Sequence, residues 1–390
     1  MSSRSRLIVL SISAPIIAFA IVGGFLGKVM AGEDKPYPHL KVFDDVVTLV
    51  TSHYVEEVNI EKVMKGAMHG LADGLDPDSS YLTVEQVKQV ESGAPMSPAG
   101  VGLDITRQYY LRVVAARDNS PAAKAGIRTG DFIRAINDTP TRDMSVWEGV
   151  RALRGTPGSR VTLTIIRGNA AEPHVVELTR ETEPQPAVTS KIATPGVGYI
   201  RLSGIGPQTA GQLKTQVADL TKNGATKLIV DIRRTASGSF DDGLALARLF
   251  VGKGTLALRE SKGTPPETIA AGATDGSIEL PAAVLIDTGT AGAAELFAAA
   301  LAGNKRADLI GEHTIGRAAQ QKLIKLPDGA GLWLSTTRFL TPAGAQLHEK
   351  GLEPTIAVDE PDVTEFGAQP PAIDPILDKA IERLAEKKAA

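Results

Sequence analysis

The stretch "TGTAGAAELFAAAL", residues 288–301, follows an apolar run from Ala282 to Ile286 and reads as strand, glycine–alanine turn and helix. In enzymes built on open α/β sheets, such a junction commonly mounts a nucleophile. Here the turn offers Gly292, Ala293 and Ala294, and none of them carries a reactive group. The junction has the shape of a catalytic mount without its chemistry.

The surrounding pattern repeats that shape. From Val197 to about Val358, the runs "GYIRLS", "KLIVDIR", "AAVLID" and "ADLIGE" alternate with helical stretches at 207–222, 241–251 and 293–302. This alternation predicts a largely parallel sheet with helices packed on it. "GLWLSTTRFLTPAG" adds a later hairpin-like element, and "PILDKAIERLAEKKAA" a short charged amphipathic helix. Upstream, residues 98 to about 181 change character. Short β-like runs ("YYLRVVAA", "DFIRAI", "RVTLTIIR", "HVVELTR") alternate with turns around one helix near Val146 to Leu153, the size of a small barrel. The proline-rich "ETEPQPAVTSKIATPG" between these modules reads as a connector. Residues 40–92 read as helical, with a second helix near Ile60 to Leu71, a break at "GLDPDSSYL" (74–82), and a short helix over "VEQVKQVESG".

Composition narrows the chemistry. The chain has 390 residues, a net charge of −3 with both signs spread along it, and no cysteine. No broad basic surface for nucleic acid is implied, and thiolate nucleophiles, disulfides and cysteine-ligated metals are excluded. The histidines at 39, 53, 69, 174, 313 and 348 never fall at a tight ligand spacing, so no metal site and no cofactor are expected.

The first thirty residues stand apart. Arg4 and Arg6 precede an uncharged stretch from Leu7 to Gly27, followed by Lys28. Twenty-one residues at a helical rise span a bilayer core of roughly 30 Å. The positive flank keeps the N-terminus cytoplasmic and places the rest outside the membrane. A retained anchor is expected, with cleavage after Ala31 in "VMAG" as the alternative.

Three segments in order then resemble a PDZ domain: "GVGLDI" (100–105), "SPAAKAGIRTGDFIRAIND" (120–138) and "LRGTPGSRVTLTIIR" (153–167). In the first, Gly100, Val101, Gly102, Leu103, Asp104 and Ile105 take the place of a carboxylate-binding loop and the strand after it. Small residues there let successive backbone N–H groups converge on a peptide's terminal carboxylate, while the strand adds the peptide to a sheet edge.

The whole arrangement resembles the carboxy-terminal processing peptidases, serine peptidases that place a PDZ domain before an α/β core. "HGLADGLDPDSSYLT", "GYIRLSGI", "LIVDIR", "GEHTIGRAAQQ" and "TTRFLTPAGAQLHEKGLEPTIAV" match successive signatures of the family, which commonly has histidine at the position of Asp78. The resemblance implies a multi-domain α/β protein: a signal anchor or signal peptide at 1–32, a helical module at 38–95, a PDZ domain at 98–182, an α/β core of the tail-specific protease type at 190–360, and a tail with a helix at 361–390.

In that family a Gly-Thr-Ala-Ser-Ala-Ser-Glu junction bears the nucleophile, a lysine twenty-five residues on serves as base, and a glutamine follows four later. "GTAGAAE" (289–295) puts Gly292 at the nucleophile position, Arg317 at the base position and Gln321 at the base-orienting position. The oxyanion-hole positions fall on Gly238 and Ala293, but the family's Asn-Pro-Gly-Gly turn is Thr235, Ala236, Ser237, Gly238 here. Glycine has no atom with which to form an acyl-enzyme. Arginine, with a pKa above roughly 12, does not release its proton to serve as base. A threonine–histidine substitute would have to come from Thr288 or Thr290 with His313, but Thr290 is expected to pack or cap and His313 to lie on the surface. Asp104, Arg167 and Glu295 match polar positions of the family and are also readable as ion-paired structure.

The expectation is an extracytoplasmic pseudoprotease that binds peptide or protein C-termini as scaffold or regulator, held to the inner membrane and forming homo-oligomers or hetero-oligomers with an active relative. The alternatives are an active serine-type endopeptidase that trims exported proteins, and a structural envelope component.

Overall fold

The computed structural model describes residues 37–168, 172–182, 187–361, 366 and 373–386, so the expected anchor at 7–27 and cleavage site at Ala31 lie outside the described residues. No helix among the described residues is long and apolar enough to cross a membrane. The chain divides into two compact units, Met1–Ala67 and Met68–Ala390. In the first, helix Tyr37–His53 precedes the start of helix Ile60–Asp73. Asn59 caps the latter, its Oδ1 accepting from the Lys62 amide at 2.9 Å.

In the second unit a six-stranded sheet runs in the order Val188–Thr194, Val197–Leu202, Lys227–Asp231, Ala282–Ile286, Ala307–Gly311, Ile356–Ala357. The last five strands are mutually parallel, as the alternation of runs predicts. The first is antiparallel to its neighbour, which corrects the reading of "ETEPQPAVTSKIATPG" as a connector. Prolines at 184, 186 and 195 dominate that segment's composition, yet none interrupts Val188–Thr194, and Pro195–Gly196 turns the chain into a hairpin. Ala282–Ile286 is buried along its whole length, as a strand covered on both faces must be. Helix Ala293–Gly303 leaves that strand and is buried from Ala293 to Leu301. Its alanines let it lie close to helix Phe240–Phe250, with Phe250 and Phe297 rings 5.8 Å apart.

A five-stranded sheet went unread in the sequence apart from its hairpin. Gly331–Leu340 pairs with Ala319–Lys325, with Thr255–Ser261 and with Ser80–Leu82, and Glu267–Ala270 completes it. Charged residues such as Arg259, Glu260 and Glu267 obscure the middle strands, and Ser80–Leu82 has only three residues. That short strand lies inside the break read at 74–82 and adds a strand to what the sequence offers as a turn. It also sets the site, because its register Ser80↔Trp333 lays the Asp78 turn beside the hairpin that follows Arg317.

The PDZ-like part is a six-stranded sheet with Leu103–Gln108 at one edge, followed by Tyr110–Ala116, Phe132–Ile136, Arg160–Ile166 and His174–Thr179, with Thr139–Pro140 attached to the third. Helix Val146–Leu153 packs along the edge strand and starts at a capping box of Ser145 and Glu148. Asp118 joins this sheet to the central one by a two-pronged pair with Arg201, at 2.9 and 3.1 Å.

A buried ionic network closes the carboxyl end of the central sheet. Asp231 accepts from Arg233 at 2.7 Å and from the Tyr199 hydroxyl at 2.7 Å, while Arg233 also reaches Asp374 at 2.7 Å. Burial by itself would push the Asp231 carboxyl up, but Arg233 and then Arg201 outweigh it and hold it down at about 2. The unfolded chain takes a proton near the ordinary carboxylate value, so this stability is complete above about pH 4 and is lost as pH falls towards 2. We expect Asp231→Asn to remove about 2 kcal/mol of the acid-sensitive stability, seen as a flatter dependence of the melting midpoint between pH 4 and 2. An unchanged pH profile in the variant would contradict this.

Candidate active site

The nucleophile turn is built from the chain's own short-range bonding. Asp287 follows the strand and accepts from the Arg234 and Gly289 amides at 2.8 and 3.0 Å. Thr290 is fully buried; its hydroxyl accepts from the Asp287 amide at 3.1 Å and lies 3.1 Å from the Ile232 carbonyl. It braces the turn, while His313 sits on the surface opposite Glu353, so these two do not form a substitute dyad. Burial pushes the Asp287 carboxyl up, against the opposing pull of Arg234 and the hydrogen bonds.

Gly292 follows at φ +61° and ψ −118°, a backbone state that side chains strain to adopt. A Cβ there would meet only the Arg317 and Ala236 carbonyl oxygens, at 3.6 and 3.7 Å, which is ordinary contact. The elbow thus retains room for a side chain that the sequence omits. Gly238 is held more strictly: at φ +126° a Cβ would lie 2.5 Å from the Ile205 carbonyl oxygen. This explains why glycine persists there while the rest of the turn is Thr235, Ala236 and Ser237. Among the described residues, neither the Gly238 nor the Ala293 amide donates to a protein acceptor.

Glu295 ties the turn to the base-position loop. It is fully buried, and each oxygen accepts twice: Oε1 from the Thr314 hydroxyl and the Gly316 amide, Oε2 from the Gly292 and Arg317 amides at 2.9 and 2.8 Å. Burial pushes its carboxyl up, and the four donors pull the other way. This residue is therefore structural.

Arg317 reaches across to the Asp78 turn, placing Nη2 2.6 Å and Nε 3.2 Å from the two carboxylate oxygens. Its Nη1 donates to the Ile105 carbonyl at 2.9 Å. Burial opposes the charge, but Asp78 and then Asp104 and Glu295 outweigh it, holding the guanidinium still further above the range in which it could accept a proton. Gln321 lies beside it at a bulge in strand Ala319–Lys325, with Nε2 3.1 Å from the Ser335 hydroxyl. The sequence marks Asp78 and Arg317 as separate departures. Their pairing is a charge match across 239 positions, and only the fold brings it together.

A cavity of about 230 Å³ opens on this constellation. Asp78, Gly238, Gly292, Arg317 and Gln321 line one side, and Gly100 to Ile105 with Val150 and Leu153 line the other. The expected nucleophile, base, orienting and loop positions therefore share one cavity, whereas Ala293 is buried and does not line it. Among the described residues, the Val101 and Gly102 amides donate to no protein acceptor, while Val101, Leu103 and Ile105 are buried as an apolar wall. Asp104 is held by Arg117 at 2.9 and 3.1 Å, and Arg167 by Asp131 at 2.7 Å, so both are ion-paired structure. No group of acidic or histidine side chains among the described residues could hold a metal ion.

Comparison with known proteins agrees with this geometry. The profile of peptidase family S41 matches residues 196–358, and that of the PDZ domain matches residues 112–167. A carboxy-terminal-processing protease of Bartonella bacilliformis is 31% identical over 360 residues, covering 88% of this chain and 83% of that protein. A probable CtpA-like serine protease of Staphylococcus aureus is 30% identical over 355 residues, covering 90% of this chain and 71% of its own. Among solved structures, the photosystem II D1 C-terminal processing protease superposes with a TM-score of 0.69 at 28% identity, covering 84% of this chain and 89% of that one. With an S41 core, a PDZ domain and a relative matched over most of both lengths, the chain belongs to the carboxy-terminal processing peptidase family.

Proposed function

We propose that this protein is a pseudoprotease of the cell envelope, which captures protein C-termini in its PDZ groove and does not cut them by the family mechanism. The observation that carries this reading is the pairing of Arg317 with Asp78 opposite a Gly292 that has no side chain. A nucleophilic step needs an oxygen and a neutral base, and this cavity offers neither at those positions. What it retains supports binding: two amides with no protein acceptor among the described residues, at Val101 and Gly102, and an apolar wall beside a strand edge.

The arginine-flanked apolar stretch at 7–27 supports membrane attachment with the folded part outside the cytoplasm. On this reading the partners are exported proteins with free, small apolar C-termini, and assembly with copies of itself or with an active relative would make it a regulatory subunit.

The full-length protein in mild detergent should bind a fluorescein-labelled decapeptide ending in Leu-Ala-Ala with a free carboxylate. Amidating that terminus should weaken binding roughly tenfold or more, since a charge-assisted hydrogen-bond set is lost. Equal binding of both forms would refute terminal-carboxylate recognition. Cleavage of an unfolded protein with the same tail, abolished in Thr290→Ala, would refute the loss of activity.

A further inference from the structure

Among the described residues, strand Leu103–Gln108 has a single strand partner, Tyr110–Ala116, and forms the edge of its sheet. A peptide added to such an edge must donate its backbone N–H groups to carbonyls that point away from the sheet. The Ile105 carbonyl is one of these, but it already accepts from Arg317 Nη1 at 2.9 Å. The same guanidinium is clamped on its other side by both oxygens of Asp78. Its main-chain amide is bound to Glu295, which fixes the segment that carries it. Arg317 can make all these contacts because its planar group has donors on several edges, which the single nitrogen of lysine does not.

We propose that Arg317 is a latch on the peptide groove: its guanidinium takes the place of an incoming peptide amide at the Ile105 carbonyl and must be displaced before a C-terminal strand can pair there. This rests on the reading that the groove binds C-termini. It assigns the base-position arginine a present role, autoinhibition of binding, in place of a lost catalytic one. Asp78 positions the latch by holding the guanidinium against the strand edge. A partner that engages both the groove and the Asp78 side would release it, so the latch favours ligands that bring a cation or an amide donor to Asp78.

The test compares the full-length protein with two variants, using the labelled peptide ending in Leu-Ala-Ala and its amidated form. Arg317→Ala with Asp78→Asn removes the latch without leaving an unpaired carboxylate. Arg317→Lys keeps a charge for Asp78 while losing the donor to Ile105. A cooperative melt establishes that each variant is folded. Both are expected to bind the free-acid peptide roughly tenfold tighter than the parent, the value of one charge-assisted hydrogen bond, and to retain discrimination against the amide. Measurable binding in the variants alone would equally support the latch. Unchanged or weaker affinity in the folded variants, with the parent binding normally, would overturn the latch and leave the groove reading standing. Binding by none of the three proteins would overturn the groove reading and the latch together.

Discussion

Gly292→Ser combined with Arg317→Lys is expected to show no proteolysis on the pseudoprotease reading proposed above, whereas adding Asp78→His should raise cleavage at least about 100-fold above the level of the parent, the scale of a working acid–base partner. The space for the new serine exists, since a Cβ at 292 has its nearest neighbours at 3.6 and 3.7 Å. The positive φ costs the serine about 1–3 kcal/mol, which should appear as a lower melting point and not as a misfold. The obstacle is Asp78. A lysine at 317 would sit against the same carboxylate that now holds the guanidinium, and an adjacent negative charge keeps an ammonium protonated. Neutral imidazole at position 78 removes that charge. Unfolded protein with a small apolar tail is the substrate, and cleavage by the double variant as fast as by the triple would show that Asp78 does not govern the base position. A folded but inert triple variant would place the defect in the turn Thr235 to Gly238.

The second large effect falls on Glu295. Glu295→Ala should cost about 3–5 kcal/mol, because three backbone amides and one hydroxyl lose a fully buried acceptor together. Glu295→Gln should be nearly as damaging. Each carboxylate oxygen faces two donors, so an amide nitrogen in either place would confront hydrogens on both. Thermal melts of the two variants test this. If Glu295→Gln melts with the parent, the four contacts do not act as the geometry implies. The latch should also loosen in these variants, because the Arg317 amide is one of the four donors.

The central sheet was readable where strands are buried on both faces. Ala282–Ile286 and Lys227–Asp231 announce themselves as apolar runs because no face of them meets water. Helix Val146–Leu153 was also read from the sequence, and the structure shows it opening at a capping box of Ser145 and Glu148, a local feature. The edge strand Val188–Thr194 of the central sheet and most strands of the second sheet were not read. Val188–Thr194 and Glu267–Ala270 are largely exposed and carry polar residues, so their identity as strands comes from the backbone pairing each makes with its neighbour through a short turn, and apolar alternation does not mark it.

The candidate site divides in the same way. The family resemblance, read at fixed offsets along one stretch of chain, assigned Gly292, Arg317 and Gln321 to their positions, and the fold brings the three to one cavity. By itself the sequence therefore determined the α/β class of the core, the PDZ domain ahead of it and the absence of a side chain at position 292. Only the tertiary structure decided what replaces the missing chemistry. Asp78 and Ile105 meet Arg317 across separations of 239 and 212 residues, through a three-residue strand and a sheet edge. Charge pairing and hydrogen bonding act over a few ångströms in space, and distance along the chain carries no record of that.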